Sequence, residues 1–133
     1  MFFVNRICGV NLRLNKTFTN FIMSCPEIEP ELFKSISTAS SDRPVLIDVR
    51  SSEEYQNDKV ENSFNIPYDT IKEAFLMDSV AFEKIYGFSQ PSKDTEVILF
   101  CTVGIRSMKA CQSAISIGFN NVKNLKGGIK ACQ

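Results

Sequence analysis

Glu96-Val97-Ile98-Leu99-Phe100-Cys101-Thr102-Val103-Gly104-Ile105-Arg106-Ser107 is the stretch on which the reading of this chain turns. After one acid, Val97 to Phe100 is an unbroken apolar run, the pattern of a β-strand covered on both faces. The residues that follow hold one Gly for a tight bend. From Ser107 to Ile117 the sequence reads as a helix, with Gly118 as its stop. A buried strand passing into a helix through a short loop is half of a β-α-β unit, and parallel sheets bind ligands at the C-terminal ends of their strands. Cys101 occupies such an end.

The same alternation extends in both directions. Val45-Leu46-Ile47-Asp48-Val49, after Pro44, repeats the buried-strand pattern, and Ser51-Ser52-Glu53-Glu54 is a capping box that opens a helix. Glu27 to Ser37 reads as a helix with Ile28, Leu32 and Ile36 on one face and acids in its first turn. Ser63 to Ile66 is a short strand ended by Pro67. Ile71 to Met77 and Asp78 to Tyr86 read as helices, the second N-capped by Asp78 and stopped by Gly87. Pro91 to Lys93 form a turn, Val122 to Leu125 a last strand, and Gly127-Gly128 a turn beyond it. Strands alternating with helices imply an α/β domain, a central parallel sheet with helices on both faces.

The 133 residues, 44% of them hydrophobic, suffice for one such domain and not for two. Formal charge is zero and both signs are interspersed, which argues against nucleic acid as a partner. No apolar run approaches the about 18 residues of a membrane span, so no membrane partner is expected. The chain has no histidine, which excludes Ser-His-Asp and Cys-His mechanisms and histidine-ligated metals. Its five cysteines, Cys8, Cys25, Cys101, Cys111 and Cys132, are odd in number and contain no C-x-x-C pair. A disulfide framework is therefore not expected, and a reducing compartment is. Cys111, four residues into its helix, reads as a small core residue.

Up to Met23 the chain holds Arg6, Arg13 and Lys16 and no acid. Phe3, Ile7, Val10, Leu14, Phe18 and Phe21 recur at helical spacing, and the basic residues fall off that stripe. A basic, acid-free amphipathic start is the pattern of a mitochondrial presequence. The expected division is therefore a presequence over residues 1–24 and a single domain over 25–133. Met23 offers an alternative start that would give a cytoplasmic form.

Chemistry concentrates in the loop after Phe100. Successive backbone N–H groups of a short Gly-bearing loop form an anion-binding nest, and the helix that follows adds its free N–H groups and the positive end of its dipole. A thiol on the floor of that nest, close to a helix-start cation, should have a lowered pKa and act as a nucleophile.

These residues resemble the rhodanese family. Cys101 to Ser107 matches its C-x-x-G-x-R-S active loop. Asp48-Val49-Arg50 with Glu54-Tyr55 matches its D-V-R…E-[YF] segment, Asn65-Ile66-Pro67 its N-I-P segment, and Gly127-Gly128 its late G-G turn. The resemblance covers about residues 44 to 133, and the segment Asp78 to Pro91 looks most like small mitochondrial thiosulfate sulfurtransferases. Where the family has Gly-His-Ile, this chain has Asp58-Lys59-Val60, with Asp58 expected to tolerate a left-handed turn. A tryptophan usual near the end is replaced around Cys132.

The resemblance implies a rhodanese-like fold and a sulfurtransferase in which Cys101 carries a persulfide, with Arg106 neutralising the donor. Thr102, Val103, Gly104, Ile105 and Ser107 would hold the substrate, and Asp48 and Arg50 would shape the pocket mouth. Read from the residues alone, Arg50 serves equally well as a helix-start partner of Glu54. The partners implied are a small-molecule sulfur donor and a thiol or cyanide acceptor. No cofactor and no metal is implied, and no pattern fixes an oligomeric state. Two other readings stay open: a non-catalytic rhodanese-like binding module, and a cysteine-dependent phosphatase or arsenate reductase. Phosphatases of that kind space the pair as C-x5-R, whereas Cys101 and Arg106 are spaced C-x4-R. The shorter loop suits one sulfur atom better than a tetrahedral oxyanion.

Overall fold

The computed structural model describes residues 25–133, so the presequence expected over residues 1–24 lies outside the described residues. Five strands form one sheet: β1 (Glu27–Ile28), β2 (Val45–Asp48), β3 (Ser63–Asn65), β4 (Val97–Phe100) and β5 (Val122–Leu125). Their order is β1-β5-β4-β2-β3 and every pairing is parallel. The helices are α1 (Pro30–Thr38), α2 (Ser52–Asn57), α3 (Ile71–Leu76), α4 (Ser79–Tyr86) and α5 (Ile105–Ser116), with 3-10 turns at Tyr68–Thr70 and Ile129–Cys132. This is the α/β architecture that the alternation of patterns implied. No helix among the described residues is long and apolar enough to cross a membrane.

The central strand β4 shows why the sheet is covered on both faces. Its side chains alternate between two apolar clusters. Val97 and Leu99 pack with Phe75, Phe82, Ala110 and Ala114 from α3, α4 and α5. Ile98 and Phe100 pack with Phe33 of α1, Leu125 and Ile129. All four β4 residues are fully buried, and truncating one such aliphatic side chain to Ala costs about 2–5 kcal/mol. Cys101 continues the alternation one step past the strand and belongs to the cluster under α5.

Connections leave β2 toward β3 and β4 toward β5, in opposite directions across the sheet. The crevice beyond the ends of β2 and β4 is thus the switch point where such sheets bind ligands. Asp48 pairs with Phe100 in register there, so Asp48 and Cys101 stand at adjacent strand ends.

Three local expectations are corrected. Glu27 and Ile28 are not helical: Pro26 and Ile28 carbonyls accept from Asn124 N–H at 2.8 Å and Lys126 N–H at 3.0 Å, so this segment completes the sheet beside β5. Helix α1 begins only at Pro30, which suits a first helical position because its missing N–H would have no partner anyway. The helix after the Cys101 loop begins at Ile105 rather than Ser107, because Gly104 serves as its N-cap with φ +99°. Lastly, Asp58 is not left-handed (φ −153°); the left-handed residue of that turn is Asn62, with φ +63°. The capping box at Ser51 and Glu54, the Asp78 cap and the Gly87 stop are all present.

Candidate active site

The Cys101 loop is a nest around sulfur. Gly104 N–H lies 3.1 Å and Ser107 N–H 3.4 Å from Cys101 Sγ, and both donate to it. Ser107 Oγ lies 3.3 Å away; facing a thiolate, the hydroxyl must be the donor. Burial pushes the Cys101 thiol up, but the Ser107 hydroxyl and the N–H groups of Ser107, Gly104 and Val103 outweigh it. The net result is a pKa below the ordinary thiol value. Cys101 is 1% exposed, so the sulfur is almost wholly enclosed by the loop and the core beneath it. Val103 and Ile105 stand out from the loop at 49% and 64% exposure and form an apolar rim.

The loop is held from behind by the end of the chain. Ile129 N–H donates to the Cys101 carbonyl at 2.9 Å and Lys130 N–H to the Thr102 carbonyl at 3.0 Å. Gly128, at φ +72°, lies against the Thr102 carbonyl and Val103 N so closely that a Cβ has no room. The sequence offers Gly127-Gly128 only as a turn; its contact with the Cys101 loop is a tertiary fact.

Arg106 lies in the first turn of α5 and reaches back across the crevice. Its Nη1 donates to Glu54 Oε2 at 2.9 Å and its Nη2 to Glu54 Oε1 at 3.1 Å, with a longer contact from Nη2 to Thr102 Oγ1 at 3.4 Å. The Arg106 guanidinium holds the Glu54 carboxyl down at about 2, with the Ser51 cap assisting, although burial opposes it. Glu54 therefore serves both the capping box and the loop arginine, a second role that the sequence reading missed. The signal available was its place in the E-[YF] segment, but nothing local said that α5 would come within reach.

Asp48 and Arg50 are close to this site without sharing groups with it. Asp48 is fully buried and Arg50 is 5% exposed. Arg50 donates to Asp48 through Nε and Nη2 and to the Asp58 carbonyl through Nη2, at 2.7 to 3.1 Å. The suggested Arg50–Glu54 pair is replaced by two others, Asp48–Arg50 and Glu54–Arg106.

The cysteines hold a further correction. Cys25 and Cys111 are joined as a disulfide, their Cα atoms 6.0 Å apart across 86 residues of sequence. The segment entering β1 is brought beside α5 by the sheet order, which an odd count and the lack of a C-x-x-C pair could not reveal. Among the described residues Cys101 and Cys132 are free, and no cluster of three or more Cys, Asp or Glu could hold a metal ion.

A model of the rhodanese-like domain matches residues 30–133, which includes every element from α1 onward. The chain belongs to the rhodanese family. It is 33% identical over 95 residues to human thiosulfate:glutathione sulfurtransferase, covering 71% of this chain and 83% of that protein. It is 37% identical over 83 residues to a putative mitochondrial thiosulfate sulfurtransferase of Schizosaccharomyces pombe, covering 62% of this chain and 58% of that one. It spans little more than half the length of the first relatives that it matches. The structure of the human single-domain sulfurtransferase TSTD1 superposes with a TM-score of 0.72 at 30% identity, over 78% of this chain and 91% of that one. The rhodanese fold is thus present.

Proposed function

We propose that this chain is a thiosulfate sulfurtransferase that works through a persulfide on Cys101. The observation that carries the reading is the Cys101 sulfur, free, with a lowered pKa, and hydrogen-bonded by Gly104 N–H, Ser107 N–H and Ser107 Oγ. The named activities of its relatives support it.

In the first half-reaction the Cys101 thiolate attacks the outer sulfur of thiosulfate. A new S–S bond forms, the old one breaks, and its electron pair leaves on sulfite. Charge balances: one thiolate and a dianion give one persulfide anion and a dianion. The loop N–H groups remain in place to hold the persulfide charge, and Arg106 faces the sulfonate end. In the second half-reaction an acceptor thiolate, or cyanide, attacks the outer persulfide sulfur and the thiolate of Cys101 returns. In this reading Thr102, Val103, Gly104, Ile105 and Ser107 make up the loop that holds the donor over Cys101, while Asp48 and Arg50 support that loop from the next strand end.

The experiment is a transfer assay with thiosulfate as donor and glutathione or cyanide as acceptor. Turnover is expected with at least one of them, and hydrolysis of aryl phosphates should be negligible. Phosphatase activity without sulfur transfer would overturn the reading. The acid-free basic start, together with the mitochondrial designation of the fission-yeast relative, supports a mitochondrial address in residues 1–24. A fluorescent fusion of the full chain should enter mitochondria and one begun at Met23 should not; a full-length fusion that stays in the cytoplasm contradicts this.

A further inference from the structure

Arg106 is the one cation in the loop from Cys101 to Ser107, and it is not free. Glu54 takes one bond from each of its terminal nitrogens. The nearby Arg50 is buried and turns Nε and Nη2 to Asp48 and the Asp58 carbonyl. A donor approaching Cys101 therefore meets a guanidinium whose charge is already balanced by a carboxylate. The pair is at the crevice mouth, with the two side chains 33% and 38% exposed, so an incoming anion can reach it and must do so in the field of Glu54. That field penalises each negative charge on the donor, and thiosulfate carries two where an organic thiosulfonate carries one.

We propose that Glu54 is a specificity-determining residue, which by pairing with Arg106 disfavours dianionic sulfur donors relative to monoanionic ones. The inference rests on the reading of Cys101 as the sulfur carrier. Two unit charges a few ångströms apart at a half-exposed site alter binding by about 3- to 30-fold, and one such increment separates the two donor classes. Glu54 does not touch the reacting atoms. It acts through Arg106.

The test compares kcat/KM for thiosulfate and benzenethiosulfonate with glutathione as common acceptor. Glu54→Gln keeps an acceptor for the Ser51 cap and removes the charge. It should raise the thiosulfate-to-thiosulfonate ratio about 3- to 30-fold, through KM for thiosulfate rather than kcat. Glu54→Ala, which removes charge and cap together, should move the ratio the same way even if its melting temperature falls. Glu54→Asp keeps the charge and should leave the ratio near that of the unaltered protein. An unchanged ratio in both neutral variants, or an equal loss of kcat with both donors, overturns the inference while leaving the sulfur-carrier reading intact. An unaltered protein that turns over neither donor sinks both.

Discussion

Two arginine–carboxylate pairs flank the same crevice and behave as opposites. Asp48 and Arg50 are two residues apart, buried to 0% and 6% side-chain exposure, and bonded to each other and to nearby backbone. Glu54 and Arg106 are 52 residues apart, about one-third exposed, and join α2 to α5 across the opening. The first pair is buried and held by bonds from Arg50 Nε and Nη2 to Asp48 and the Asp58 carbonyl. The second contributes little to stability, because exposed pairs are worth about 0–1 kcal/mol, and it can exchange partners with a ligand. A charged pair beside Cys101 is read by its burial, not by its distance from the sulfur.

The strongest way to break this contrast is to remove Asp48. Asp48→Ala strands a buried guanidinium and should destabilise the domain by about 3–5 kcal/mol, measured by denaturant unfolding. A loss below about 1 kcal/mol would mean that the two pairs do not differ as described. Next comes Arg106→Ala. It should cost no more than about 1 kcal/mol of stability and yet slow sulfur transfer by roughly 10- to 1000-fold, the size expected for removing one group that stabilises transition-state charge. Arg106→Lys should recover only part of the rate, since an ammonium lacks the planar fork. Large destabilisation with unaltered kinetics would invert the assignment.

The smallest effect is on pH dependence. The thiolate is the reactive form and the Cys101 pKa is lowered, so the rate of sulfur loading should persist below the ordinary thiol range and fall as pH drops through the Cys101 pKa. Ser107→Ala removes the hydroxyl donor and should move the inflection upward. Glu54 stays ionised down to about 2, so its pairing with Arg106 adds no inflection of its own in the neutral range. An inflection that ignores Ser107 would show that the nest does not set the thiolate.

Much of this was legible in the chain because the signals were local. The apolar run at Val97 to Phe100, the Ser51–Glu54 capping box and the Gly104 bend each declare their structure within a few residues. The same is true of Cys101, whose nest is built from Gly104 and Ser107. What the chain concealed depends on long-range neighbours. Glu54 meets Arg106 and Cys25 meets Cys111 only because the parallel crossovers bring α2 beside α5 and the entry to β1 beneath it. Gly128 backs the Cys101 loop for the same reason. Glu27–Ile28 reads as helix because a two-residue edge strand has too little pattern to compete with the helix that follows it.

The central claim is that Cys101 carries the sulfur, and intact-protein mass spectrometry tests it directly. Purified protein treated with thiosulfate should gain the mass of one sulfur atom, fragmentation should place it on Cys101, and cyanide should remove it. Cys101→Ser should show neither the added mass nor turnover, because a hydroxyl at neutral pH is not a nucleophile of this kind and oxygen cannot hold the sulfane sulfur. If Cys101→Ser still gained sulfur from thiosulfate and passed it to cyanide at a near-normal rate, the account of this site would be wrong.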